Sequence, residues 1–190
     1  MCRSGEGISG SKFHIFSGMK IINIVASGDL HQPAPFERLP ELSETNYRYN
    51  REIYHGAYIL LSRGKATIYR SGKYIIYGLA SLDEVDASYR EFLTLISPLI
   101  DPSLASPPEV RNIVGMDDLQ IEIPLLQLVV ALKMEQVEYE PEQFPGLIYR
   151  GDTGTALVFS SGKVILAGFK DLDSMEAFAS SLKAKIRSVV

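Results

Sequence analysis

Alternation of apolar and polar residues predicts a series of short strands along this chain. We expect them at residues 20–27, 45–50, 56–62, 66–70 and 74–78, and again at 109–115, 134–140, 146–150, 155–160 and 164–168. Short helical segments are expected near 35–42 and 124–132, and apolar residues at helical spacing predict long amphipathic helices at 81–100 and 171–189. Both halves of the chain therefore show the same order: strand, helix, four strands, helix.

Matching residues recur in the same order in the two halves. Asn23-Ile24-Val25 corresponds to Asn112-Ile113-Val114 at an offset of 89, and Ser71-Gly72-Lys73 corresponds to Ser161-Gly162-Lys163 at an offset of 90. Because these anchors keep one order at a nearly constant offset, we interpret the chain as two copies of one unit. The copies are expected at 19–102 and 109–190, with a proline-rich linker at 103–108 and a flexible arm at 1–18.

Such units predict an α+β fold, in which an antiparallel sheet packs its helices against one face. The opposite face must then be exposed to solvent or bind a partner. On the strand that follows Ser71-Gly72-Lys73 and the strand before it, alternate residues share a face: Thr67, Tyr69, Ser71, Lys73, Ile75 and Tyr77. Apolar side chains with few hydrogen-bonding groups are typical of a large docking surface rather than of a solvated one.

Composition and charge refine this interpretation. The chain has 190 residues, of which 46% are hydrophobic and 22% are charged, as in ordinary globular proteins. The net charge of −4 excludes a uniformly basic surface, but charge is unevenly distributed. Residues 47–78 carry a net charge of +5, whereas residues 81–101, on the first long helix, carry −4. A basic sheet can therefore coexist with an acidic total.

The sequence offers no motif for catalysis or for metal binding. The histidines His14, His31 and His55 lack ligand spacing, and Cys2 is a single cysteine that cannot form an intramolecular disulfide. No Gly-rich phosphate loop, nucleophile elbow or paired-carboxylate motif is present. No apolar run approaches the roughly 18 residues of a membrane span. We therefore expect a protein that is not an enzyme and needs no cofactor or metal.

A longer motif points to a known family. Residues 139–150, Tyr-Glu-Pro-Glu-Gln-Phe-Pro-Gly-Leu-Ile-Tyr-Arg, with residues 158–164 and the Asn-Ile-Val start of each copy, resemble the TATA-binding protein family of archaea and eukaryotes. The resemblance covers residues 20–190 and is stronger in the second copy, which indicates a divergent and archaeal member. It implies two tandem pseudo-symmetric repeats that form a saddle-shaped antiparallel sheet, with helices on the convex face and promoter DNA bound through its minor groove on the concave face.

By motif position, the resemblance implies a specific set of DNA-binding residues. The aromatic pairs that wedge between base steps would be Phe144 with Phe159 and Tyr54 with Tyr69. The residues lining the groove would be Asn23, Asn112, Val25, Val114, Ile75 and Ile165, and those near the phosphates Lys73, Lys163 and Arg150. Ser71 and Ser161, beside these lysines, complete the set.

The resemblance also implies partners. Glu140 and Glu142 are the candidate contacts for a transcription factor B homologue, which would link the protein to RNA polymerase. The protein would act as a monomer on DNA, with a dimer through the concave face as an option when free. It would lie with the nucleoid in an archaeon or in the nucleus of a eukaryote.

Several positions depart from the family pattern and keep an alternative open. Tyr77 and Ala167 stand where the family has threonine, and Leu60 stands where it has a basic residue. A divergent paralogue with weak or no specific DNA binding, acting as a protein-interaction module, is therefore the second interpretation. A nuclease accessory domain of the same fold is a third, but such domains carry one copy of the unit.

Overall fold

The structure, a computed structural model, describes residues 18–132 and 136–190. Its strands are β1 (Lys20–Asp29), β2 (Tyr47–Arg48), β3 (Gly56–Leu60), β4 (Lys65–Tyr69), β5 (Lys73–Leu79), β6 (Glu109–Asp118), β7 (Val137–Glu138), β8 (Leu147–Arg150), β9 (Thr155–Val158) and β10 (Lys163–Phe169). Its α-helices are α1 (Leu82–Ile96), α2 (Leu125–Ala131) and α3 (Leu172–Arg187), and shorter 3-10 helices span Phe36–Glu41 and Pro102–Leu104. The predicted arm lies outside the described residues except for Gly18, as do two residues of the strand predicted at 134–140.

All the strands belong to one antiparallel sheet. Their order is β2-β3-β4-β5-β1-β6-β10-β9-β8-β7, so the first strands of the two repeats, β1 and β6, pair at the centre. On either side, the remaining strands of each repeat follow outward in a mirrored order. This arrangement confirms the predicted α+β fold of two related units, here called the first and second repeats.

The two long helices cover one face of the sheet. Ile24, Ile59 and Ile76 on the strands of the first repeat are fully buried, as is Phe92 on α1. In the second repeat Met175, on α3, is also fully buried. Since successive side chains of a strand point to opposite faces, the alternate residues lie on the uncovered side of the sheet. That side is called the open face below.

The structure corrects three predicted boundaries. The short helical segment predicted near 35–42 is a 3-10 helix over Phe36–Glu41, with Pro40 inside it. Helix α1 ends at Ile96 instead of residue 100, because Pro98 has no backbone N–H to continue the helical hydrogen bonds. The outermost strands, β2 and β7, have two residues each, and each pairs on one side alone.

Side-chain caps fix where the long helices begin. The Ser81 hydroxyl accepts a hydrogen bond from the backbone N–H of Glu84 at 3.3 Å, as its sequence pattern predicts. The Glu84 carboxylate accepts from the N–H of Ala80 at 2.7 Å rather than from that of Ser81. In the second repeat, Asp171 accepts from the N–H of Ser174 at 2.7 Å.

The linker between the repeats is attached to the first one. The backbone N–H of Ser106 donates to the carbonyl of Asp29 at 2.9 Å, and the hydroxyl of buried Tyr74 donates to the carbonyl of Ser106 at 2.7 Å. These contacts hold the chain against the sheet where it leads into β6. Among the described residues, the helices are too short or too polar to cross a membrane.

Candidate functional site

Cross-strand pairing arranges the open face in two corresponding rows. In the first repeat the register aligns Tyr58, Thr67, Ile75 and Ser27 across β3, β4, β5 and β1. In the second repeat it aligns Ile148, Leu157, Ile165 and Met116 across β8, β9, β10 and β6. The predicted groove residues Ile75 and Ile165 therefore occupy equivalent places, one in each half.

Two asparagines lie at the centre of the open face. The side-chain oxygen of Asn23 accepts a hydrogen bond from the backbone N–H of Gly78 at 2.8 Å, and that of Asn112 accepts from Gly168 at 2.8 Å. Only an oxygen can accept from an N–H, so these bonds fix which side of each amide is which. Each asparagine consequently keeps its NH2 group as a donor for a ligand on the open face.

The predicted valines flank these asparagines. Val25 pairs with Asn112 across the β1–β6 boundary, and Asn23 pairs with Val114 in the same register. Both valines are half-buried. The centre of the face thus carries two amide donors between apolar side chains, arranged about the pseudo-two-fold axis that relates the repeats.

The structure brings both predicted aromatic pairs together. The ring centroids of Phe144 and Phe159 are 5.7 Å apart, and those of Tyr54 and Tyr69 are 6.2 Å apart, each pair with an edge-to-face geometry. Glycine makes this packing possible beneath the tyrosines, because a Cβ at Gly56 would lie 2.9 Å from the Tyr54 ring.

Gly146 is the corresponding glycine beneath the second pair, where a Cβ would lie 2.8 Å from the Phe144 ring. The glycine before β8 and the glycine that opens β3 therefore have the same function, which is to let two rings pack over the backbone. Phe144 and Phe159 are half-buried, so part of each ring is accessible.

The first aromatic pair differs from the second by a hydrogen bond. The hydroxyl oxygens of Tyr54 and Tyr69 are 2.7 Å apart. This hydrogen bond, with burial and the neighbouring phenols of Tyr58 and Tyr77, raises the pKa of Tyr69 to about 12. Tyr69 therefore keeps its proton well above neutral pH, and the two rings are joined through their polar ends.

The predicted phosphate contacts fall into two groups. Lys73 and Lys163 are exposed at the starts of β5 and β10, each preceded by an exposed serine of the turn, Ser71 or Ser161. Neither lysine forms an ion pair within the described part of the chain. Arg150 instead lies 3.0 Å from Glu138, and this contact lowers the pKa of that carboxyl. A phosphate that binds Arg150 through Nε or Nη2 would displace Glu138 from those donors.

One residue of the open face escaped the sequence-based prediction. Strict alternation along β6 would place Arg111 on the helix-covered face with Ile113. The pairing of β1 with β6 is irregular between Val25 and Ala26, and Arg111 lies on the open face instead. Its Nε donates to the Ser27 hydroxyl at 2.8 Å. A bulge of this kind leaves no signal in the hydrophobic pattern.

Tyr58 was also missed, although its signal was available. It lies two residues beyond Gly56 on β3, and its ring stacks on Tyr54 with a centroid separation of 5.5 Å. Alternation along β3 places it on the same face as Leu60, at the edge of the docking surface.

The two predicted partner contacts lie apart from the strands. Glu140 and Glu142 are exposed in the turn between β7 and β8, a few residues before Phe144. The amide of Gln143 donates a hydrogen bond to Glu140. The turn therefore presents one free-standing and one hydrogen-bonded carboxylate beside the aromatic pair.

In the described ranges, no three His, Cys, Asp or Glu side chains cluster as ligands for a metal ion. The site consists of a sheet face with two central amide donors, apolar neighbours and an aromatic pair toward each end. These features define a two-repeat sheet protein whose open face is built to dock a large partner.

Comparison with known proteins identifies the family. The chain matches the model of the family Transcription factor TFIID (or TATA-binding protein, TBP) twice, over residues 18–99 and 107–189. TATA-box-binding protein C of Halobacterium salinarum is 36% identical over 179 residues, covering 90% of this chain and 99% of the relative. The TATA-box-binding protein of Archaeoglobus fulgidus is 29% identical over 178 residues, covering 90% and 96%.

A solved structure agrees with the sequence matches. Methanococcus jannaschii TBP superposes with a TM-score of 0.76 at 30% identity, covering 90% of this chain and 99% of that one. The chain belongs to the TATA-binding protein family. The resemblance in the second-repeat motif and the predicted saddle of two repeats are thereby confirmed.

Proposed function

We propose that this protein is a general transcription initiation factor that binds A·T-rich promoter DNA in the minor groove and bends it. The observation that carries the proposal is the pair of locked asparagines at the centre of the open face. Asn23 and Asn112 each present an NH2 group, with Val25 and Val114 beside them.

Minor-groove chemistry matches this arrangement. An A·T pair offers only acceptors there, adenine N3 and thymine O2, whereas a G·C pair adds the guanine amino group as a donor. Amide donors can bind the acceptors, and apolar side chains such as Val25 and Ile165 fit where the amino group is missing. The centre of the open face therefore favours A·T pairs.

Bending would come from the aromatic pairs toward the ends of the face. Side chains that wedge between base steps unstack them at a cost of a few kcal/mol per step, which the larger contact surface of bent DNA offsets. Phe144 and Phe159 are suited to this because their rings are apolar and partly accessible. Tyr54 and Tyr69 are expected to wedge less readily, because their hydroxyls lose hydration on insertion.

Affinity would depend on the cations beside the face. Lys73 and Lys163 are exposed and lie beside Ser71 and Ser161, whose hydroxyls can donate to phosphate oxygens. Contacts between lysine and phosphate release counterions, so binding should weaken as salt concentration rises.

The same proposal includes protein partners. Exposed Glu140 and Glu142 form an acidic edge that a transcription factor B homologue with a basic surface could contact, which would connect the complex to RNA polymerase. The protein would bind DNA as a monomer, with its apolar open face as a pairing surface when no DNA is present. We propose no catalytic role.

One observation favours a second function. The Tyr54–Tyr69 hydrogen bond and the Arg150–Glu138 ion pair both occupy groups that DNA binding would use. A protein with these groups engaged could instead act as a protein-interaction paralogue that binds DNA weakly or without specificity.

Binding to labelled duplexes separates the two functions. A promoter duplex that is rich in A·T and carries a fluorophore at each end would be compared with a G·C-rich duplex over a range of salt concentrations. If the protein is a transcription initiation factor, it should bind the A·T-rich duplex selectively, with an affinity that falls as the salt concentration rises. Bending should bring the two fluorophores closer together, and a transcription factor B homologue should strengthen the binding. Folded protein that binds neither duplex, with or without that homologue, supports the interaction paralogue.

A further inference from the structure

The two halves of the open face differ systematically in polarity. At six equivalent positions the first repeat carries a hydroxyl and the second repeat carries none: Tyr54 and Phe144, Tyr58 and Ile148, Thr67 and Leu157, Tyr69 and Phe159, Tyr77 and Ala167, Ser27 and Met116. The first five pairs are 90 residues apart and the last is 89 apart, as in the other anchors of the repeat. All six differences have the same direction.

These positions are neighbours in space. One row of the first repeat runs through Tyr58, Thr67 and Ser27, and the ring of Tyr54 stacks on Tyr58. Arg111, which forms an ion pair with Glu109, donates a hydrogen bond to Ser27 in the same half. The equivalent row of the second repeat is aliphatic apart from the Met116 thioether.

Two positions at the outer edge depart from this direction. Lys65 in the first repeat corresponds to Thr155 in the second, whose hydroxyl lies across from Ala167. Leu60 in the first repeat corresponds to Arg150 in the second.

Arg150 and its partner Glu138 lie at the outer edge of the open face, because Arg150 is two residues from Ile148 on β8 and Glu138 pairs with Ile148 from β7. Inside this edge, at Ile148, Leu157 and Ala167, the second half is apolar where the first half carries hydroxyls.

The phenols of the first half retain hydrogen-bonding capacity. Within residues 18–132 and 136–190, the hydroxyls of Tyr58 and Tyr77 form no hydrogen bond, and both side chains are half-buried on the face. A phenol hydroxyl can donate one hydrogen bond and also accept. The first half can consequently pair with a donor that a ligand brings to Tyr58 or Tyr77, whereas the second half offers the hydroxyl of Thr155 at its edge and no acceptor side chain at Ile148 or Leu157.

The donor that distinguishes base pairs in the minor groove is the guanine 2-amino group. Against tyrosine hydroxyls this group finds an acceptor. Against Ile148 and its cross-strand neighbour Leu157 it would be buried without a partner, which weakens binding. The same G·C pair should therefore affect binding differently in the two halves of the site.

We infer that the first repeat accepts G·C base pairs while the second repeat requires A·T pairs, and that this difference orients the protein on asymmetric DNA. The inference rests on the proposed minor-groove binding. It assigns the specificity to Tyr58 and Tyr77 of the first repeat against Ile148 and Ala167 of the second. A promoter with its G·C pairs confined to one half would be bound in one direction.

A palindromic duplex tests this without any label on the protein. The reference site contains only A·T pairs, and two G·C pairs are then placed either in one half or symmetrically in opposite halves. When both G·C pairs lie in one half of the duplex, the protein can bind in the direction that places its first repeat on that half. When the G·C pairs lie in opposite halves, the second repeat must contact one of them in either direction. We expect the opposite-halves duplex to bind about tenfold more weakly than the same-half duplex, within the range for one unfavourable base pair.

Inosine and matched variants locate the cause. Replacing guanine by inosine removes the 2-amino group and should abolish the difference between the two duplexes. The double variant Tyr58→Ile with Tyr77→Ala, which copies the second repeat, should bind both G·C duplexes equally weakly relative to the A·T reference. The reciprocal variant Ile148→Tyr with Ala167→Tyr should bind both equally well, and thermal unfolding checks that each variant is folded.

The outcomes separate the two proposals. Binding of the A·T reference with equal losses in the two G·C arrangements overturns the polarity inference alone. A difference that persists with inosine also overturns it, because the 2-amino group is then not what is read. Failure of the wild-type protein to bind even the A·T reference overturns the proposed function, and the inference with it.

Discussion

The hydroxyl of Tyr54 lies 2.7 Å from the hydroxyl of Tyr69, at the positions where the second repeat has two phenylalanines. Because this contact and burial favour the protonated phenol, the pKa of Tyr69 rises to about 12 from its ordinary value of 10.0. Between these values the unfolded chain loses the proton and the folded chain keeps it. The contribution of Tyr69 to stability is therefore complete below pH 10 and is lost as the pH rises toward 12.

Ultraviolet titration of the phenols measures this shift. We expect Tyr54→Phe to lower the pKa of Tyr69 toward its ordinary value, because the phenylalanine ring keeps the packing and removes the hydroxyl. In Tyr69→Phe, one fewer phenol should ionise at the highest pH values. Buried Tyr74, whose pKa is also raised, should still titrate late in this variant. An identical titration above pH 11 in wild-type protein and Tyr69→Phe would contradict the assignment.

The aromatic pairs should contribute unequally to DNA binding. We expect Phe159→Ala to weaken binding to an A·T-rich duplex by about tenfold or more, since it removes a wedge whose effect is a few kcal/mol per step. Tyr69→Ala should weaken binding less, because insertion of the tyrosine already requires its hydroxyl to lose hydration and its bond to Tyr54. Fluorescence anisotropy compares the two variants.

Tyr69→Phe is the control for the hydroxyl itself. It should bind as tightly as wild-type protein or more tightly, because it resembles Phe159 at the equivalent position. Equal losses in Phe159→Ala and Tyr69→Ala would show that the first repeat wedges as effectively as the second.

The locked amide of Asn112 gives a sharper test of minor-groove reading. In Asn112→Asp, a carboxylate oxygen can still accept from the Gly168 N–H, so the sheet contact is kept. The other oxygen replaces the NH2 donor and faces the groove acceptors with a negative charge. We expect binding to fall by about tenfold or more, given that one lost base contact costs about 1–3 kcal/mol.

Two further variants serve as controls for Asn112→Asp. Asn23→Asp should behave alike, because Asn23 makes the same bond to Gly78 in the first repeat. Asn112→Ala should in addition lower the free energy of unfolding by about 1 kcal/mol, since the Gly168 N–H loses its acceptor. Wild-type affinity in Asn112→Asp would exclude the proposed donor role.

Periodicity and repetition were sufficient to predict most of this fold. The offset between Asn23 and Asn112 located the two units, and alternation separated buried Ile24 from half-buried Val25. What the pattern could not show depends on contacts between strands. The bulge that turns Arg111 to the open face and the ion pair that engages Arg150 arise from pairing, which a single-chain pattern does not encode.

The same limit applies to the locked asparagines. The sequence marked Asn23 and Asn112 as candidates, but the direction of each amide depends on a backbone N–H more than 50 residues away in the chain. The tyrosines show the same limit, because the family resemblance paired Tyr54 with Tyr69 while their hydrogen bond required the structure. Residue type was predictable at the site, and donor geometry was not.

A buried ion pair behind the open face gives the last prediction. The Lys183 ammonium on α3 lies 2.5 Å from the Asp117 carboxylate on β6, whose side chain is only 3% exposed. Lys183→Met should lower the free energy of unfolding by about 3 kcal/mol, because it leaves a buried charge without its partner. Adding Asp117→Asn removes that charge and keeps an oxygen to accept from the Asp118 N–H, so the double variant should regain at least about 1 kcal/mol. Urea unfolding measures both changes, and a double variant no more stable than Lys183→Met would show that the loss reflects packing of the lysine stem rather than its charge.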